Sequence, residues 1–259
     1  MDSAELKKYS KNCSDFYDQV HEVLQPHDNS LQSFRTTDIK HTHEDSIRDS
    51  SVQEGMKILD AGCGLGVFDF YLVSKMNCDV TAVTFSELEL EKGKKLHAGK
   101  PTKGKLTYQL ADFHFLKDYF PENTYDIVMF LESFEHVYDK EKVLRDCYSL
   151  LKPGGSLFIK YHFILWLNAK GREEEFAKSV QSETDSMRIF THFTLPDFLK
   201  LTYEIGFMPL LVKIPSIQFD YYEASMNSVD KCNNLIEGFN YHAPNFQVTQ
   251  CYNVLLKKL

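Results

Sequence analysis

From about residue 55 the sequence alternates short apolar runs with amphipathic stretches, and this alternation constrains the fold more than any other feature. "MKILDAG", "CDVTAVTFS", "KLTYQLADF", "YDIVMFLESF" and "SLFIKYHF" read as strands. Between them "GVFDFYLVSKM", "SELELEKGKKLHA" and "DKEKVLRDCYSLL" read as helices, with Ser86 placed to cap the second and "KPGG" to break the third. Strands alternating with helices at this spacing imply parallel βαβ units, and so predict an α/β, doubly wound, mostly parallel Rossmann-like sheet.

The tail follows another pattern. "REEEFAKSVQ" and "TLPDFLKLTYEIGF" read as helices, while "MPLLVKIP" and "FQVTQCYNVLLKKL" predict a C-terminal antiparallel strand pair. The insertion 216–246 between those strands carries Phe219, Tyr221, Tyr222, Phe239, Tyr241 and Phe246, and is expected to pack as a lid. Residues 1–50 predict an N-terminal helical cap on a domain spanning 51–259, since Phe16, Val20, Val23 and Leu24 share one helical face. "KHTHED", with His41 and His43, reads as a solvated loop rather than a metal site, and no metal site is predicted elsewhere.

Composition excludes some functions. The formal net charge of -8 argues against a nucleic-acid partner, because neutralising phosphates takes a basic face. No apolar run approaches the length of a membrane span. The six cysteines are scattered without a CxxC pair, as suits reduced thiols and a cytoplasmic protein. Oligomeric state is left open.

The first strand runs into "ILDAGCGLG", with glycines at 62, 64 and 66. Open parallel sheets bind ligands outside the carboxyl ends of their strands. Glycines at that edge let a ligand touch the backbone, and the N–H groups opening the next helix present partial positive charge. The spacing is GxGxG, not the dinucleotide GxGxxG.

In order, "ILDAGCGLG", "VTAVTFSELELEKG", "LADF", "YDIVMFLESFEHV" and "LLKPGGSLFI" resemble the signature of class I S-adenosylmethionine (SAM)-dependent methyltransferases, over roughly residues 56–162. "VTFS" and "FEHV" are similar to the cyclopropane-fatty-acid-synthase and prenyl-diphosphate C-methyltransferase branch, and "KYSKNCSDFYDQV" is similar to its leading helix. The resemblance implies that Asp60, Gly62 and Gly64 receive the methionine portion of SAM. Thr84 and Ser86 end the second strand, and Glu89 stands where that branch places a ribose-binding glutamine. Asp112 would accept the adenine amino proton or simply cap a helix; Phe113 and Leu131 would cover the two faces of the ring.

Glu132, Glu135 and His136 follow the fourth strand and are the catalytic candidates, with Tyr161 and His162 at the rim. The implied reaction moves a methyl group from SAM to a small apolar acceptor, lipid- or isoprenoid-like, with carbon methylation favoured and S-adenosylhomocysteine (SAH) as product. Mg²⁺ would enter only with a diphosphate acceptor, for which Arg35, Lys40 and Arg48 would have to converge. The alternatives are N-methylation of a small amine and a non-catalytic SAM-binding scaffold.

Overall fold

The computed structural model describes residues 3–23, 38–164, 193–216 and 249–259. Seven strands form one sheet in the order β3-β2-β1-β4-β5-β7-β6. They are β1 (Lys57–Ala61), β2 (Asp79–Thr84), β3 (Lys105–Leu110), β4 (Tyr125–Leu131), β5 (Leu151–Ile164), β6 (Phe207–Lys213) and β7 (Thr249–Lys258). The first five run parallel, and β7 lies antiparallel between β5 and β6. The expected mostly parallel sheet with an antiparallel C-terminal pair is therefore present. Ile58, Leu59, Val128, Met129 and Phe130 are fully buried, as central strands covered on both faces require.

The helices are α1 (Ser3–Val23), α2 (Ile39–Ser50), α3 (Val67–Lys75), α4 (Glu87–His97), α5 (Leu116–Tyr119), α6 (Lys140–Leu150) and α7 (Leu195–Ile205). Ser86 caps α4 as expected, accepting from the Glu89 N–H at 3.0 Å. Strand order reverses direction at β1 and β4; Asp60, near the end of β1, pairs with Met129, and Leu131 ends β4 two residues further on at the switch point.

Three expectations need correction. "KPGG" does not precede the fifth strand but lies within it: Tyr125 pairs with Leu151, Ile127 with Ser156, and the residues between bulge out of register. The "KHTHED" segment is not a solvated loop; it lies in α2, where Asp38 caps the helix by accepting from the His41 N–H at 3.0 Å. His41 stays exposed, but His43 is 3% exposed, because Ile39, Thr42, His43 and Ser46 share the face turned inward. Tyr161 is not at a rim. It alternates with Lys160 and His162 along β5, so its ring enters the core against Phe134 and Phe163.

The insertion 216–246 lies outside the described residues apart from Ser216, and the helix read in "REEEFAKSVQ" lies wholly outside them. Ser216 is held by α2: its N–H donates to Asp45 Oδ2 at 2.9 Å, and its hydroxyl accepts from Arg48 at 3.3 Å. Among the described residues no helix is long and apolar enough to cross a membrane.

Candidate active site

A cavity opens at the switch point, floored by the loop after β1 and roofed by α1 and α2. All three glycines of "GCGLG" have positive φ, yet they are small for different reasons. A Cβ on Gly62 would fall on the side chain of Ser133, whose hydroxyl donates to the Ala61 carbonyl at 2.6 Å. A Cβ on Gly66 would strike the Tyr108 ring, whose hydroxyl donates to the Leu65 carbonyl at 2.9 Å. A Cβ on Gly64 would meet only Glu89 Oε1, at 3.8 Å, and would otherwise project into open space. Gly62 and Gly66 thus let the protein fold against itself, and Gly64 leaves room for something else. The Gly62 and Cys63 N–H groups both donate to the Val83 carbonyl, at 2.9 and 2.8 Å, tying the loop to β2.

Asp60 lines the cavity at 2% exposure, and its Oδ1 has no hydrogen-bond partner among the described residues. Burial pushes its carboxyl up to about 7. Glu89, also buried, accepts from His21 Nε2 at 2.9 Å and from the Thr84 hydroxyl at 2.6 Å, and so stands fixed beside Gly64. Ser86 does not line the cavity; besides capping α4, it donates to Asp18 on α1. Phe85, Phe113 and Leu131 form an apolar wall, with the two rings edge to face at 5.1 Å. Asp112 is not part of that wall. Its Oδ1 accepts from the His114 N–H at 2.9 Å and lies 2.8 Å from His114 Nδ1, which is the capping role. Burial raises its carboxyl, but the His114 contacts outweigh that and hold it below the ordinary range.

The far end of the cavity is polar and buried. Glu132 follows β4 with φ 58, a left-handed conformation unusual for a glutamate, and pairs with Lys160 Nζ at 2.7 Å. His136 Nε2 and the Tyr17 hydroxyl lie 2.7 Å apart, which ties α1 to the turn after β4. His43 also lines this end. Burial, reinforced by the nearby Lys160 charge, pushes it down to about 4, so it is neutral at ordinary pH. Glu135 does not line the cavity. Its Oε1 accepts from the His162 N–H at 3.3 Å and lies 3.0 Å from Nδ1 of the same residue. Burial raises the Glu135 carboxyl, and the His162 contacts more than reverse that.

The structure therefore brings Asp60, Gly62, Gly64, Thr84, Glu89, Phe113, Leu131, Glu132 and His136 to one cavity, and leaves Ser86, Asp112 and Glu135 beside it. Sequence reasoning missed Tyr17, His43 and Phe85. Phe85 and Tyr17 stood inside segments already singled out, with no role given to either, and His43 was read as part of a solvated loop.

Residues 59–159 match a family model described as a methyltransferase domain. This stretch is a methyltransferase domain. The chain is 32% identical over 160 residues to a ubiquinone biosynthesis O-methyltransferase of Vibrio parahaemolyticus, covering 61% of this chain and 62% of that one. It is 31% identical over 114 residues to a sterol 24-C-methyltransferase of Aspergillus fumigatus, covering 44% of this chain and 29% of the relative. For the sterol enzyme, as for most of the curated relatives matched, the chain spans less than half of the relative's length. Among solved structures, a geranyl diphosphate C-methyltransferase from Streptomyces coelicolor superposes with a TM-score of 0.67 at 13% identity. That alignment covers 85% of this chain and 79% of the other, and shows a shared fold.

The residues of the methyltransferase domain fit SAM. Asp60 offers a buried carboxylate oxygen for an ammonium, Gly64 leaves a cradle that a side chain would fill, Glu89 offers acceptors for a diol, and Phe85, Phe113 and Leu131 offer faces for a purine.

Proposed function

We propose that the chain transfers a methyl group from SAM to a small apolar acceptor, with carbon methylation favoured. One observation carries this reading. The cavity joins an open cradle at Gly64 to a buried end lined by Glu132, paired with Lys160, by His136, beside the Tyr17 hydroxyl, and by His43. When bound, SAM supplies an activated methyl on a positively charged sulfur, so the protein's task is alignment, exclusion of water and removal of a proton.

Each polar residue at the acceptor end has a part. His136, oriented by the Tyr17 hydroxyl, is placed to take the proton released when a carbon acceptor is methylated. Lys160 balances the Glu132 carboxylate, which lets that charge stay buried and face a developing cation. The cations a diphosphate would need do not converge among the described residues. Arg48 is bound to Asp45 and Asp49, Lys40 is exposed near Glu44, Lys160 is paired with Glu132, and Arg35 lies outside the described residues. Among the described residues no cluster of three His, Cys, Asp or Glu side chains could hold a metal ion.

The test is to incubate the protein with SAM carrying a deuterated methyl and a lipid extract, follow SAH release, and locate the label by mass spectrometry and NMR. Label on carbon in the apolar fraction is expected. Label confined to amines would replace this reading with N-methylation, and no SAH release above a blank would leave a SAM-binding scaffold.

A further inference from the structure

Behind Asp60, on the first turn of α3, stands a second carboxyl. Asp69 is fully buried, and neither of its oxygens has a hydrogen-bond partner among the described residues. An aspartate in the first turn of a helix ordinarily caps backbone N–H groups. This one reaches at most its own N–H, weakly, and turns its carboxyl to that of Asp60, interrupting the otherwise apolar run "VFDFYLV". Among the described residues, the titratable and charged groups around the pair offer no counter-cation. Cys63 lies in the loop, Glu89 on α4 and Tyr108 on β3; burial pushes the thiol and the phenol up, so both stay neutral. Among the described residues, the partner of His21 on α1 is Glu89.

Two adjacent buried carboxyls without a cation cannot both ionise, because desolvation and mutual repulsion each disfavour the second charge. Burial and the neighbouring Asp60 charge hold Asp69 protonated well above the ordinary range. We propose that Asp60 and Asp69 act as one acceptor for the α-ammonium of the cofactor, with Asp60 turning a charge to the cavity and Asp69 holding the shared proton behind it. The inference rests on the cofactor reading above and deepens it. Asp69 is a positioning residue: as a neutral donor it favours ionised Asp60 without adding a second charge. The loop then offers one negative charge to one ammonium, and offers it only once the pair has lost its first proton.

The test uses SAH binding to the full chain, measured by calorimetry from pH 6 to 8.5 in two buffers of different ionisation enthalpy. In the wild type, affinity should rise about tenfold per pH unit at the acid end and level off above neutrality, and binding at pH 6 should release about one proton. Asp69→Asn mimics the protonated acid, and should bind within about threefold of the wild type with the same pH midpoint. Asp69→Ala removes the donor and should move the midpoint upward, with about a tenfold loss at pH 7. Asp60→Asn should abolish the pH dependence, which separates this pair from His21 and His136; it also decides the matter if Asp69→Ala fails to fold. Equal losses in Asp69→Asn and Asp69→Ala would overturn the proposal, since Asp69 would then be acting through its charge or its packing. Tight wild-type binding that is flat with pH overturns this proposal alone. No SAH binding at any pH overturns the cofactor reading and this inference with it.

Discussion

The three glycines after β1 make a quantitative prediction, because a Cβ meets something different at each. At Gly64, alanine incurs the strain of φ 56 and nothing more, since its Cβ would sit 3.8 Å from Glu89 Oε1. A non-glycine residue in the left-handed region costs about 1–2 kcal/mol. For a domain of this size each kcal/mol lowers Tm by roughly 2–4 °C, so Gly64→Ala should melt roughly 2–8 °C below the wild type. Gly62→Ala adds a collision with Ser133, and Gly66→Ala one with Tyr108. Overpacking adds about 1–3 kcal/mol to the strain, so both should melt lower than Gly64→Ala.

Ligand affinity should rank the other way. Gly64→Ala should weaken SAH at least about tenfold, a loss of about 1.4 kcal/mol. Gly64→Val should abolish binding while the sheet stays folded. Thermal scans of the three alanine variants, with calorimetry on SAH for each, give both rankings. Wild-type affinity in Gly64→Val, or Gly62→Ala melting no lower than Gly64→Ala, would refute the division of labour between the glycines.

Glu89→Ala should cost on the order of 1.5–3 kcal/mol of SAH affinity and Glu89→Gln less, because the amide keeps an oxygen beside Thr84; equal, negligible losses by calorimetry would remove Glu89 from the ribose site. Lys160→Met removes the cation paired with buried Glu132 and should destabilise the fold by about 3–5 kcal/mol, and Glu132→Gln in the same chain should restore most of it in urea unfolding. The Asp60 carboxyl, at about 7 when folded against about 3.9 unfolded, contributes stability that is fully present below pH 4 and is lost as pH rises through 7. That amounts to at most about 4 kcal/mol. His43 and His97, both pushed down to about 4, contribute the opposite slope between pH 4 and 6.5, so the readout is the difference between wild type and Asp60→Asn from pH 5 to 8. A difference that does not change with pH would mean Asp60 is ionised in the apo protein throughout.

Periodicity made the sheet legible, because it depends on neighbours in sequence. β1 to β4, the Ser86 cap and the antiparallel end all follow from apolar runs and local capping chemistry. The part of the cavity around Gly64 was legible for the same reason, since one loop and two strand ends supply most of its lining. The purpose of Gly62 and Gly66 was not legible, because it depends on Ser133 and Tyr108, far away in the chain. His43 was misread because charged neighbours on the outer face of α2 make the segment look solvated, while Asp45 and Asp49 on its inner face are bound by Ser216, Lys213 and Asn253. Two signals were available in the sequence. Strand alternation separates Tyr161 from Lys160 and His162, and an aspartate inside "VFDFYLV" marks a buried acid.

The walls of the cavity differ in what holds them. The glycine loop is bonded to β2 through Val83 and to β3 through Tyr108, so it can move only with the sheet. The roof provided by α1 is attached through side chains at intervals along one face. Ser10 meets His114 at 3.1 Å, Tyr17 meets His136 at 2.7 Å, Asp18 meets Ser86, and His21 meets Glu89 at 2.9 Å. Each such bond contributes about 0.5–1.5 kcal/mol net. The apolar part of the contact among the described residues includes Tyr9, Cys13 and Phe16 packed with Phe85, and Leu6 and Val20 of the same helix are buried as well. Among the described residues the roof is thus held to the sheet by side chains, whereas the floor is held by backbone hydrogen bonds to β2 and would open only by breaking strand contacts. Two of the α1 bonds also end on cavity residues, Glu89 beside Gly64 and His136 at the polar end. One helix therefore holds a side chain at each end of the cavity, so any shift of α1 would be felt at both ends at once.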